Sequence, residues 1–354
     1  MKLIHCADIH LDSPMETNLT PEKARERKME VRYAFARMVR YAEDAGVEAI
    51  LIAGDLFDST HVTKSTEKYV IDLIAAHPSI DFYYLAGNHD RGSMLAGLDA
   101  LPGNLFLFGD TWTSYRRDRL VLTGAAHPDE DTLSLCEEDV NIVVLHGQQT
   151  RGAAGAKEDV IRLSKLKGKY IDYVAMGHVH DYRAVKLDAR GVACYSGCLE
   201  GRGFDECGEK GFVLLELDGK HVAHRFVPFA ARTLHTRSLD VGEVCSALEL
   251  EERLLAAVAD IPAQDAVKVV LTGSCLPDAP TDLAHLRSVL EGRFYFSKVT
   301  DETRLLIRAQ DFENDISLKG EFVRRVLASS MSESEKERVI ACGFRALSGE
   351  EMGL

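Results

Sequence analysis

Apolar residues in this chain follow two rhythms. As far as His180, short unbroken apolar runs alternate with longer stretches of helical spacing; beyond it, the runs mix apolar and polar positions. The unbroken runs over residues 3–7, 49–53, 82–86, 142–145 and 173–176 read as parallel strands buried on both faces. Between the first two, Thr20 caps a predicted helix, Pro21 occupies its first position, and Val31, Phe35, Met38 and Ala42 mark its buried stripe until Gly46 ends it. A second helix is predicted over 63–76. Crossovers of this length between strands imply right-handed units and a mainly parallel sheet. After His180, strands are predicted over 183–187, 192–196, 211–217 and 221–227, punctuated by Gly191 and an Asp218-Gly219 hairpin turn. The pattern predicts an α/β fold, a layered sandwich of two mixed sheets flanked by helices.

A boundary is expected near residues 228–232, closing a first domain over 1–230. A small α/β domain over 231–310 follows, with strands at 233–239 and 266–271, helices at 241–259 and 281–291, and further strand to 307. It holds no chemical constellation of its own. The tail over 311–354 is helical: Ser332 and Glu335 form a capping box, Gly343 is a natural stop, and Leu318, Phe322, Val326, Val339, Ile340 and Phe344 form apolar stripes. Those stripes dock either on the chain itself or in a partner's groove. No internal repeat is present.

At 354 residues and 46% apolar composition, the chain can bury more than one core. No apolar stretch approaches the ~20 residues that cross a bilayer, and the N-terminus enters a strand without the apolar region of a signal peptide. Eight scattered cysteines without C-x-x-C spacing point to a reduced, cytoplasmic setting. The net charge of −14 argues against holding nucleic acid by charge alone. Its distribution is uneven: residues 151–169 carry six basic and two acidic side chains, and residues 127–139 carry six acids and no Lys or Arg. Both runs read as solvated surface; the basic one leaves the His146 strand and is the sharper candidate for contact with a polyanion.

Each unbroken run ends at a residue able to bind metal. The endings are Asp8-Ile9-His10, Gly54-Asp55, Gly87-Asn88-His89-Asp90, His146-Gly147 and Gly177-His178-Val179-His180. Open α/β sheets place ligands at the carboxyl ends of their strands. Seven donors, Asp8, His10, Asp55, Asn88, His146, His178 and His180, suit two divalent cations that clamp a phosphate. Asp55 is the natural bridge, and the imidazoles favour Mn, Fe or Zn over Mg or Ca. Glycines before Asp55, Asn88 and His178 allow sharp turns. His89 remains as a general acid for the departing oxygen, with Asp90 placed to orient it. The other histidines get plainer readings. His5 is core, and His221 and His224 point to opposite faces of a strand. His61, His77, His235 and His285 have no partner at ligand spacing, and His127, which follows a possible strand over 120–126, is a lesser candidate ligand beside its ordinary reading.

The order Asp8-x-His10, Gly54-Asp55-x-x-Asp58, Gly87-Asn88-His89-Asp90, His146, Gly177-His178-x-His180 resembles the calcineurin-like metallophosphoesterases. The segments His10-Leu11-Asp12-Ser13-Pro14, Leu145-His146-Gly147-Gln148, Leu163-Ser164-Lys165-Leu166-Lys167-Gly168, Tyr195-Ser196-Gly197 and 204–212 are similar to the SbcD-type DNA-repair exonucleases. The resemblance implies two manganese ions, one held by Asp8, His10, Asp55 and His180 and the other by Asp55, Asn88, His146 and His178, with His89 assisting departure of the sugar oxygen. It also implies a DNA-contacting capping domain over 231–310, C-terminal helices that engage an SbcC-type coiled-coil ATPase, and a homodimer. Some archaeal and eukaryotic relatives carry a histidine where Asp58 stands. Protein phosphatases share the core pattern but place Arg-Gly where this chain has Ser59-Thr60, and Glu where it has Asp90. The competing readings are a phosphodiesterase for a small nucleotide or phosphate ester, and a non-catalytic metal-bound subunit. Substrate-contacting residues are not marked by the sequence.

Overall fold

The computed structural model describes residues 1–15, 19–58, 62–90, 101–150, 160–242, 244, 246–275, 282–305 and 312–347. The chain divides into two compact units, Met1–Thr233 and Leu234–Leu354. The first begins with β1 (Lys2–Cys6), α1 (Pro21–Asp44), β2 (Ala49–Ala53), α2 (Lys64–Ala75), β3 (Asp81–Leu85) and β4 (Leu105–Leu107). It continues through β5 (Thr113–Arg117), β6 (Leu120–Gly124), β7 (Val140–His146), β8 (Gln148–Gln149), β9 (Val160–Ile161) and the short α3 (Leu163–Leu166). It ends with β10 (Tyr173–Gly177), β11 (Arg183–Lys186), β12 (Val192–Tyr195), β13 (Gly211–Asp218) and β14 (His221–Pro228).

These strands form two six-stranded sheets, ordered β14-β13-β1-β2-β3-β4 and β11-β12-β10-β7-β6-β5. In each, four central or leading strands run parallel, and antiparallel pairings involving β13, β14, β11 and β5 complete the sheet. The architecture is therefore the expected sandwich of two mixed sheets. Parallel pairing makes neighbouring strands end together: Ala53 is registered with Leu85, and Gly177 with His146.

The unbroken apolar runs follow from this layering, because every strand residue has a core to face. Leu3, Ala7, Leu51 and Ala53 meet Ile142, Val144, Tyr173 and Ala175 between the sheets. The alternate residues Ile4, Cys6, Ile50 and Ile52 pack with Val31, Phe35 and Met38 of α1 and Val70 and Ile74 of α2. Val143, Leu145, Val174 and Met176 face outward onto Leu163 and Leu166 of α3. Both long helices start as the sequence predicts, with Thr20 accepting from Lys23 N at 3.3 Å and Thr63 from Thr66 N at 3.2 Å.

The second unit contains β15 (Leu234–Asp240), α4 (Ala247–Ala257), β16 (Ala266–Thr272), β17 (Ser274–Cys275) and α5 (Leu283–Leu290). Then come β18 (Phe296–Asp301), β19 (Arg304–Leu305), α6 (Leu318–Leu327) and α7 (Glu333–Leu347). Strands β15, β16 and β18 form a parallel sheet, covered by Leu250, Leu254, Leu286 and Leu290 of α4 and α5. Helix α4 starts later than expected because Ser246 caps it, accepting from Glu249 N at 3.1 Å. The predicted start at Thr281 and end at Ile307 of neighbouring elements lie outside the described residues. Val323, Val326 and Ile340 bury the apolar faces of α6 and α7 against each other and Phe312. The capping box forms, with Ser332 N donating to Glu335 Oε2 at 2.9 Å. Gly343, however, does not end α7. A Cβ there would lie 2.2 Å from Phe322 Cε1, so the glycine serves close helix packing.

Candidate metal centre

The five strand ends of the first unit converge through unusual backbone. Asp8, His10, Asp55 and His178 have φ of 52°, 50°, 51° and 96°, left-handed values that cost a non-glycine residue about 1–3 kcal/mol each. Four such residues, all candidate ligands, show that the turns are made at the ligand positions themselves. The glycines have a second task. A Cβ on Gly54 would lie 2.1 Å from His146 Nδ1, one on Gly87 2.1 Å from Asp55 Oδ1, and one on Gly177 2.0 Å from the Ala53 carbonyl. They clear space for the donor cluster.

Three groups result with ligand atoms within 4.8 Å of one another, one of them His10, Asp58 and His89 at the rim. The two that hold only predicted ligands are Asp8, His10 and His180, and Asp8, Asp55 and His146. In the first, His10 Nε2 and His180 Nε2 face each other at 3.3 Å. In the second, His146 Nε2 lies 3.2 Å from Asp55 Oδ2 and 2.9 Å from Asn88 Oδ1, with His178 Nδ1 3.2 Å from the same amide oxygen. Asp55 Oδ2 also lies 3.8 Å from His10 Nε2, so it faces both groups. The Asp8 carboxylate accepts His178 N at 2.9 and 3.0 Å, tying the two sheets together across the site.

The donor chemistry fits divalent cations. His146 Nδ1 donates to the Ala53 carbonyl at 2.9 Å, and His180 Nδ1 lies 2.6 Å from Glu206 Oε1. With Nδ1 engaged outward, each Nε2 is the atom that would offer its lone pair to a cation once deprotonated. Burial lifts the Asp8 carboxyl to about 6, against the pull of His146 and His180. Asp55 is buried too, yet its bond to His146 holds it near about 2. Burial disfavours the charged His146 imidazole, but Asp55 and Asp8 together raise it to about 9. Burial also lowers His10 and His178. The proton on His146 is the charge that a bound cation would replace.

Three residues behind the site carry weight that the sequence did not reveal. Asp58 Oδ1 sits 2.8 Å from His10 Nδ1, off the line of an ideal hydrogen bond, and 3.0 Å from Arg202 Nη1. Arg202 in turn holds Glu206, through Nη2 to Oε1 at 2.6 Å and its backbone N to Oε2 at 2.7 Å. Glu206 thereby backs His180, Asp58 backs His10, and one guanidinium joins the two carboxylates. Asp58 stood in the motif without an assigned task. Glu206 lies 26 positions beyond His180 with no ligand-like spacing to mark it.

His89 stands at the rim, its side chain 47% exposed, with its ring 5.0 Å from that of His10. Its backbone N donates to Asp55 Oδ1 at 2.9 Å. The expected partnership with Asp90 is not formed. Asp90 is fully buried and turns its carboxylate to Leu56 N at 2.9 Å, the Tyr84 hydroxyl at 2.6 Å and Gly87 N. It fixes the turn that carries Asn88, and Asp58 takes the place beside His89, 3.9 Å from Nδ1. Successive side chains in a tight turn diverge, which separates these sequence neighbours.

His77, His235 and His285 have local partners in Leu73 O, Asp265 and Glu251. His61 lies outside the described residues, as do Ser59, Thr60, Arg151 and Lys157. Three of the described residues of the basic run, Arg162, Lys165 and Lys169, meet the acidic run. Arg162 bonds Glu130 at 2.7 Å, Lys165 pairs with Asp131, and Lys169 donates to the Leu133 carbonyl at 2.8 Å. Among the described residues no helix is long and apolar enough to cross a membrane.

Residues 1–182, which include every candidate ligand and His89, match the calcineurin-like phosphoesterases, and the chain belongs to that family. It is a metallophosphoesterase, of a family that uses a dinuclear metal site. An uncharacterized metallophosphoesterase of Bacillus subtilis (strain 168), YhaO, is 25% identical across 64% of this chain and 60% of its own length. The DNA double-strand break repair protein Mre11 of Methanosarcina acetivorans is 23% identical across 69% of this chain and 41% of its own length. The chain thus spans less than two thirds of both. The Mre11 of Haloferax volcanii is 26% identical across 97% of this chain and 74% of its own length. Among solved structures, a dimetal phosphatase from Danio rerio aligns with a TM-score of 0.42 and 12% identity, covering 61% of this chain and 92% of that one.

Proposed function

We propose that this protein is a metal-dependent DNA phosphodiesterase, an SbcD-type exonuclease that serves DNA repair with an SbcC-type coiled-coil ATPase partner. The observation that carries the phosphodiesterase chemistry is the exposed His89 imidazole at the rim of two donor groups that Asp55 faces. Asp8, His10, Asp55, Asn88, His146, His178 and His180 would hold two divalent ions, with manganese the best candidate and Fe or Zn the alternatives. Such ions, when bound, supply an activated water and neutralise phosphate charge. Asp58 turns His89 Nδ1 toward its own carbonyl, 3.3 Å away, which leaves Nε2 free to protonate the departing oxygen. The DNA reading draws its support from the Mre11 relatives, one of which covers nearly the whole chain.

A second reading, a phosphodiesterase for a small nucleotide or phosphate ester, is favoured by one observation. In a chain of net charge −14, the described part of the basic run is largely occupied by the acidic run. A manganese-dependent assay with single-stranded DNA, double-stranded DNA and bis-p-nitrophenyl phosphate separates the two. The DNA reading expects cleavage of DNA, and a His89→Ala variant that retains its metal but loses at least ~100-fold in turnover. Cleavage of the small ester alone supports the second reading.

A further inference from the structure

Beside the donor cluster lies a cavity of about 380 Å³, lined by Gln148, Gln149, Val179, Arg183 and Tyr195. Its place follows from the chain. Gln148 and Gln149 leave the strand that ends in His146, and Val179 separates His178 from His180. In the antiparallel pairing of β11 with β12, Arg183 stands opposite Tyr195, which puts both side chains on one face of the sheet. The Tyr195 hydroxyl is locked, accepting from Gln149 N at 2.8 Å and donating to the Gly147 carbonyl at 2.9 Å. The floor of the cavity is thus fixed to the loop that follows a candidate ligand.

Among the described residues the lining is rich in hydrogen-bond donors and has no carboxylate, although the chain carries 56 acidic residues against 42 basic ones. Several arginines elsewhere in this unit are held by acids: Arg27 by Glu30, Arg162 by Glu130, Arg190 by Asp172 and Arg202 by Glu206. Arg183 is exposed and has no carboxylate partner among the described residues. A guanidinium presents paired donors that match the oxygens of a phosphate. The volume falls within the ~300–1,000 Å³ range of small-ligand pockets.

We infer that this cavity is a subsite for a second phosphate of a polynucleotide, one that flanks the phosphodiester at the donor cluster. Arg183 holds that phosphate, and the two glutamines offer amide donors to the attached nucleotide. A substrate with a single phosphate has nothing to place there, so the subsite selects for a chain. This inference rests on the DNA reading above.

The test compares kcat/KM for a short oligonucleotide with that for bis-p-nitrophenyl phosphate, in the wild-type chain and in Arg183→Gln. The ratio of the two should fall roughly tenfold in the variant, chiefly through KM for the oligonucleotide. The slope of log affinity against log salt should shrink by about one contact, and Arg183→Lys should recover part of the ratio. Thermal unfolding and metal content certify that the variants are folded. A wild-type chain that cleaves the oligonucleotide, with a ratio unchanged in Arg183→Gln, overturns the subsite alone. A wild-type chain inactive on every oligonucleotide overturns the DNA reading and the subsite with it.

Discussion

Glu206 grips His180 from behind, and Arg202 grips Glu206, so the ring reaches the site already aimed. Outer carboxylates of this kind orient an imidazole and raise its basicity, and their loss weakens metal affinity by about 10–100-fold. Glu206→Gln should show that loss in a manganese titration; unaltered affinity would assign Glu206 to framework alone. His5 offers a different reading of burial. Its ring lies between the sheets, bonded through Nδ1 to the Tyr173 hydroxyl at 2.9 Å, and burial pulls it down to about 3 from 6.5, only partly opposed by the nearby Met176 backbone. The folded state keeps this ring neutral, whereas the unfolded chain takes up a proton below 6.5. Stability from His5 is therefore complete above that value and drains away as pH falls toward the folded-state value, by up to about 1.4 kcal/mol per pH unit. Urea unfolding between about pH 7 and pH 5 should be less pH-dependent in His5→Gln than in the wild type. The seven donors were legible in the sequence because each ends a buried run. Asp58, Arg202 and Glu206 were not, because only the folded chain brings their partners to them. Asp90 was misread because adjacency in sequence does not place side chains together.

At the scale of elements, parallel pairing is what delivers the donors. Strands β1, β2 and β3 end along one edge of the first sheet, and β7 and β10 end side by side in the second. The apolar runs made these strands easy to read. The glycine roles were harder, since a glycine in sequence does not announce whether it turns the chain or makes room. Gly177 makes room: a Cβ there would press on the backbone carbonyl of Ala53, which cannot rotate aside. Gly177→Ala should cost about 1–3 kcal/mol of stability, read by urea unfolding, and lower metal content in parallel. A variant as stable as wild type would mean that the two sheets tolerate a wider separation between β2 and β10 than this contact suggests. Gly343 teaches the same lesson, because α7 continues through it against Phe322.

The charge of the whole molecule is less simple than its total. Its acidic run and the described part of its basic run lie far apart in sequence yet pair across the folded first unit. Charge counts alone could not foresee that pairing. The division is plainer: the sequence places a boundary near residues 228–232, and the fold separates into two units after Thr233. What unites the account is a single site on the first unit in which Asp55 faces two donor groups. Manganese titration followed by electron paramagnetic resonance tests that directly. The wild-type chain should bind about two ions, magnetically coupled through a shared ligand, with coupling lost in Asp55→Asn. A wild-type chain that binds a single ion, or two uncoupled ones, would contradict it.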